Sequence, residues 1–151
     1  MVASKKKLKQ EQVRGKAVTV LTDARFEVAA LAEEMGEWRD NLQGTALTNT
    51  EKYEQVEESA QQLESVDYTL SHLQLPVEVG DREITYYWIH PYGRHIGRSW
   101  RAEGVEVALE AIVELLEQVL TTGESAEARA VRSELLDCIE AISGVEFPGM
   151  Y

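Results

Sequence analysis

Cysteine is almost absent from this sequence. Cys138 stands alone, so neither an intrachain disulfide nor a cysteine-based zinc site can form, and a reducing cytoplasm is the expected setting. Proline occurs three times and never before Pro76, which leaves half the chain free of helix breakers. Positive charge is scarce: 15 Lys and Arg face 27 Asp and Glu, for a net charge of -12. Such a surface repels phosphates, which excludes wholesale nucleic-acid binding. It leaves room only for a local basic face, or for an acidic mimic of DNA aimed at a DNA-binding protein. Long apolar runs are missing too; the longest, Ala17 to Leu21, contains a threonine and falls far short of the roughly 20 residues that cross a membrane. The lysines near the start are not followed by an apolar core, so no export signal is expected.

What is present is helical patterning. With 151 residues the chain suits a single domain, residues 1–151, that can fold without staples. Met1 to Gln12 carries Lys5, Lys6, Lys7 and Lys9 and reads as a basic, frayed arm. From Leu21 the apolar positions Leu21, Ala24, Val28, Leu31, Met35, Trp38 and Leu42 follow spacings of three and four, a heptad seam that predicts a helix from about Ala17 to Leu42. Gly44 suits a left-handed cap. Thr48 with Glu51 has the form of a capping box and opens a second helix on Tyr53, Val56, Ala60, Leu63, Val66 and Leu70. Residues 17–73 therefore make a first helical hairpin.

Pro76 ends it. Val77 and Val79 alternate with Glu78, Gly80-Asp81 offers a turn, and Ile84 to His90 reads as an aromatic strand, which together predict a β-hairpin over residues 77–90. Alternation puts Ile84, Tyr86 and Trp88 on one face and Thr85, Tyr87 and Ile89 on the other. Both faces are apolar enough to call for cover. A second helical hairpin follows over residues 99–143, capped by Ser99 and Ser125, broken at Gly123 and closed by Gly144, with a loose tail from Val145 to Tyr151. The expected fold class is mainly α with a small β-hairpin (α+β): two antiparallel helical hairpins joined by an aromatic β-hairpin and a basic loop. The length and regularity of the first seam add the expectation of a homo-oligomer.

Chemistry concentrates between Ile84 and Arg101. Five of the eleven aromatic residues lie there, with His90, His95, Arg94, Arg98 and Arg101. Glycines in the loop and the start of a helix suit an anion, and guanidinium groups fork onto phosphate oxygens. Arg94, Arg98 and Arg101 are the candidate phosphate ligands, His95 an assistant, and Tyr87, Trp88, Tyr92 and Trp100 the candidate stacking surfaces for a base. The same arginines have a second destination among 27 acids, namely pairing with Glu and Asp of the neighbouring hairpin. No recognisable catalytic set accompanies the histidines, so an enzyme is not expected, nor a cofactor, nor a metal.

The run Glu37-Trp-Arg-Asp-Asn-Leu42, followed by Lys52-Tyr-Glu-Gln-Val-Glu-Glu-Ser-Ala60, resembles the helical hairpins of small uncharacterised proteins encoded by bacteriophages, over about Lys5 to Leu73. That resemblance implies a place in the cytoplasm of an infected host. It also implies a host-directed class that includes inhibitors of defence proteins and sponges for nucleotide immune signals. The leading expectation is a non-catalytic protein that sequesters a phosphate-bearing nucleotide. The alternative is an acidic helical interaction module that inhibits or scaffolds a host or phage protein.

Overall fold

A computed structural model of the chain describes residues 10–45, 50–89 and 97–148. Its elements in order are β1 (Gln10–Lys16), α1 (Ala17–Leu42), α2 (Glu51–His72), the single turn α3 (Val77–Gly80), β2 (Glu83–Ile89), α4 (Arg98–Thr122) and α5 (Ala126–Ser143). The fold is mainly α with one small two-stranded antiparallel element, as the sequence implies. The four long helices pack as a ring: α1 against α2, α2 against α5, α5 against α4, and α4 back against α1.

The heptad seam accounts for α1. Leu21, Ala24, Val28, Leu31, Met35 and Leu42 are all buried, and Val28, Leu31 and Met35 have no exposed surface. Helix α2 answers with Val56, Ala60 and Leu63, and α4 with Leu109, Ile112 and Leu116, each fully buried. The seam is thus satisfied inside one chain, and its regularity does not require a second subunit. Gly44 takes φ +79°, the left-handed conformation that ends α1. The cap of α2 is Thr50, whose hydroxyl accepts from the Tyr53 amide at 3.2 Å; Thr48, the expected cap, lies outside the described residues. Ser125 caps α5 as anticipated, accepting from the Ala128 amide at 3.1 Å. Helix α4 starts two residues earlier than expected: Gly97 occupies its cap position, and Ser99 is already inside the helix.

The partner of the aromatic strand is the main correction. Val77 and Val79 do not form a strand; Val77–Gly80 is one helical turn, with the Val79 and Gly80 amides donating to the Pro76 carbonyl at 2.9 and 2.8 Å. Two alternating valines fit a helical turn as well as a strand, and here Val79 is buried while Val77 is 80% exposed. Strand β2 pairs instead with Gln10–Lys16, in the register Gln10↔Ile89 to Lys16↔Glu83. Gln10 to Gln12 therefore belong to a strand and not to a frayed arm; residues 1–9 and His90 lie outside the described residues. The alternation within β2 is as expected, with Ile84, Tyr86 and Trp88 turned inward and Thr85 and Tyr87 exposed. No described element covers that outer face.

The tail is not loose over residues 145–148. Val145 is buried, Phe147 packs on the core, and the buried Ser59 hydroxyl donates to the Glu146 carbonyl, tying the tail to α2. Residues 149–151 lie outside the described residues. Cys138 is a buried residue of α5, its thiol pushed up to about 11 by burial first and then by Asp137 and Glu134. It is an inert core side chain.

Gly104, in the second turn of α4, is where β2 meets the bundle. A Cβ on Gly104 would lie 2.4 Å from two atoms of the Trp88 indole. Gly costs about 1 kcal/mol relative to Ala inside a helix, so its use here is explained by the close approach of the ring. The substitution Gly104→Ala should therefore destabilise the protein by about 1–3 kcal/mol in urea denaturation and shift the tryptophan emission, in place of the usual gain in helix propensity. A stabilised variant with unchanged emission would show that the indole does not press against Gly104.

Candidate functional site

The arginines at the start of α4 are already held. Arg98 and Arg101 stand one turn apart on α4, and Glu27 and Glu34 stand two turns apart on α1, so the facing stripes of the two helices bring opposite charges together. Arg101 grips Glu34 with both terminal nitrogens at 2.9 Å and donates its Nε proton to Glu27. Arg98 donates through Nε to the same Glu34 at 3.0 Å, and its guanidinium lies 5.6 Å from the centre of the Trp38 ring. The hydrogen bond from Arg101 holds the Glu34 carboxyl below its usual range, against the opposing effect of burial and with help from Arg98. Burial would lower the pKa of Arg101, but its bonds to Glu34 and Glu27 outweigh that and raise it. Two cations at a helix N-terminus oppose the helix dipole, and these carboxylates supply the compensating negative charge.

The candidate stacking residues do not converge. Trp88 faces inward and lines a small cavity between β2, α1 and α4 together with Tyr86, Arg101, Glu27 and Asp23. Burial and the nearby Asp23 carboxylate both raise the Tyr86 hydroxyl pKa. Tyr87 points to the opposite face of the strand and is 58% exposed, and Trp100 is half-exposed and does not line this cavity. Arg94, His95 and Tyr92 lie outside the described residues. Of the eight expected ligand-binding residues, the structure brings Arg101 and Trp88 to one cavity, sets Arg98 beside Arg101 on α1 carboxylates, and leaves Tyr87 and Trp100 apart. The cavity holds about 140 Å³, well below the ~300–1,000 Å³ of ordinary ligand pockets. Among the described residues no cluster of His, Cys, Asp and Glu is placed to hold a metal, and no helix is long and apolar enough to cross a membrane.

A second feature lies on the same helix. Glu103, Glu106, Glu110, Glu114 and Glu117 recur at three and four residues and so form a stripe along α4. Glu117 pairs with Arg132 of α5 at 2.7 Å. The other four have no basic partner among the described residues; Glu106 has its carboxyl pushed up by burial first, then by Glu110 and Glu103. This stripe was visible in the spacing, and so was the seven-residue separation of Glu27 and Glu34, but neither spacing says which helix faces it.

Compared with known proteins, the chain matches no family model, no curated protein and no solved structure. The likeness of its first hairpin to phage-encoded proteins rests on the residues quoted above and on nothing further.

The Glu34 pair gives a pH dependence of definite sign. A carboxyl held low in the folded state stabilises the fold above its unfolded pKa and loses that contribution as pH falls through the folded value. Glu34→Gln should cost about 1 kcal/mol at neutral pH, and the gap to the unaltered protein should close below the ordinary carboxylate range. Urea denaturation at neutral pH and near pH ~3 checks this; an equal gap at both would remove the charge interaction as its cause.

Proposed function

We propose that this protein is a non-catalytic binding protein whose acidic helical face, centred on α4, docks a basic surface of another protein and so inhibits or scaffolds it. The observation that carries the reading is the α4 stripe: Glu103, Glu106, Glu110 and Glu114 stand in a row without a basic partner among the described residues, while Arg129, Arg132 and Arg39 pair with other carboxylates. Four adjacent carboxylates repel one another, and nothing described on this chain relieves that. A cationic partner would relieve it and would be steered toward it from a distance.

The nucleotide-sequestering reading has less support. A phosphate reaching Arg98 and Arg101 would have to displace Glu34 and Glu27 from charge-assisted hydrogen bonds, and it would enter a cavity walled by Asp23 as well. Its remaining ligands, Arg94, His95 and Tyr92, lie outside the described residues.

Affinity isolation of the tagged full chain at low salt, followed by quantitative mass spectrometry, separates the two. The triple variant Glu103→Lys, Glu110→Lys, Glu114→Lys, all at exposed positions, should lose its co-isolating proteins, and raising the salt should strip them from the unaltered chain. The double variant Arg98→Ala, Arg101→Ala should keep them. Protein partners indifferent to the triple reversal, or a nucleotide released on denaturation and lost in the arginine variant, would overturn the proposal.

A further inference from the structure

We infer that the groove between β2 and α4 takes an extended basic segment of the partner protein, added as a third strand to the open edge of β2, with lysine or arginine at alternate positions. This rests on the acidic-face reading above and names the place and form of the contact.

Among the described residues the sheet has two strands, so β2 has β1 on one edge and no described strand on the other. Among the described residues no hydrogen bond reaches the outward backbone groups of β2. A groove of about 460 Å³ runs beside it and is lined by five consecutive residues, Glu83 to Tyr87. Side chains alternate between the faces of a strand, so five residues in succession fit a groove that runs along the strand's backbone edge. The far wall is α4. Ala111 and Leu115 form an apolar floor there, and Glu110 and Glu114 stand beside them.

An added strand satisfies the idle amides and carbonyls of β2 through backbone bonds, and its inward side chains then meet α4. Long basic side chains fit both parts of that wall: their aliphatic stems lie on Ala111 and Leu115 while their charged ends reach Glu110 and Glu114. Charge also argues against a second copy of this chain as occupant, because two molecules of net charge -12 repel one another.

The test uses the full chain and labelled, capped peptides in fluorescence anisotropy. One peptide alternates lysine with threonine, a second alternates glutamate with threonine, and a third repeats the first with its backbone amides N-methylated, which keeps every charge but removes the donors. The first should bind and the second should not. The third should bind about tenfold more weakly or worse, and Glu110→Gln with Glu114→Gln should weaken the first by about tenfold. If the double variant binds less but the N-methylated peptide binds as well as the first, the acidic-face reading stands and strand addition falls. If the double variant binds the first peptide unchanged, or no peptide binds at all, the groove is not the site. Self-association abolished by the same double variant would put a second copy there and overturn the inference.

Discussion

The contact on which the upper half of the molecule depends is the seating of the Trp88 indole on the backbone of α4 at Gly104. A ring cannot come this close to a helix carrying a side chain at that position. The contact fixes where β2 crosses α4, and β2 in turn holds β1, whose last residue leads directly into α1. The Ala17 amide, one of the donors left free at the start of a helix, is satisfied by the Arg82 carbonyl at 2.8 Å just before β2 begins. The two-stranded ribbon therefore ties the start of α1 to the flank of α4, and the Arg98 and Arg101 pairs with Glu34 and Glu27 hold the start of α4 against the middle of α1.

Those pairs also take up the charge of Arg98 and Arg101. Arginine next to aromatic residues at a helix start has the composition of a phosphate site, and only tertiary placement separates such a site from an internal ion pair. Here the guanidinium groups face carboxylates on the helix next to them. The Glu34 carboxyl in the cluster is shifted downward by that pairing, as a stabilising contact shifts it and not as a group poised for proton transfer would be. The positive charge of Arg98 and Arg101 that looked available in the sequence is paired inside the chain.

Most of the helical architecture was legible because it is periodic. The seam from Leu21 to Leu42, the stop at Gly44 and the cap at Ser125 all follow from local rules that leave few alternatives. The strand pairing was hidden for a physical reason. Gln10–Lys16 is a polar strand whose one large apolar residue, Val13, faces inward, so it carries almost no alternation, and its partner lies beyond the whole of the first helical hairpin. A nearby pair of valines offered a cheaper local partner on paper, but Pro76 and the burial of Val79 under α1 drew that segment into a helical turn. Glycine at position 104 was visible as an oddity inside a helix, yet only the position of Trp88 explains it. Around Arg98 and Arg101 the local spacing showed which residues share a face, and the identity of the opposite face came from topology.

Unpaired carboxylates at i and i+4 spacing destabilise a helix by a few tenths of a kcal/mol each, and α4 tolerates a row of them because its other side is buried through Val105, Leu109, Ile112 and Leu116. Burial anchors the helix strongly enough to carry repulsion on its outer stripe. Open strand edges are a comparable liability, commonly blunted by basic side chains or a covering element. Among the described residues nothing pairs with the β2 edge next to the carboxylate stripe, so the two liabilities adjoin. In the proposed contact a single extended cationic chain would offset both at once, through backbone pairing on one side and charge on the other. No neutral or acidic partner, and no small anion, does so.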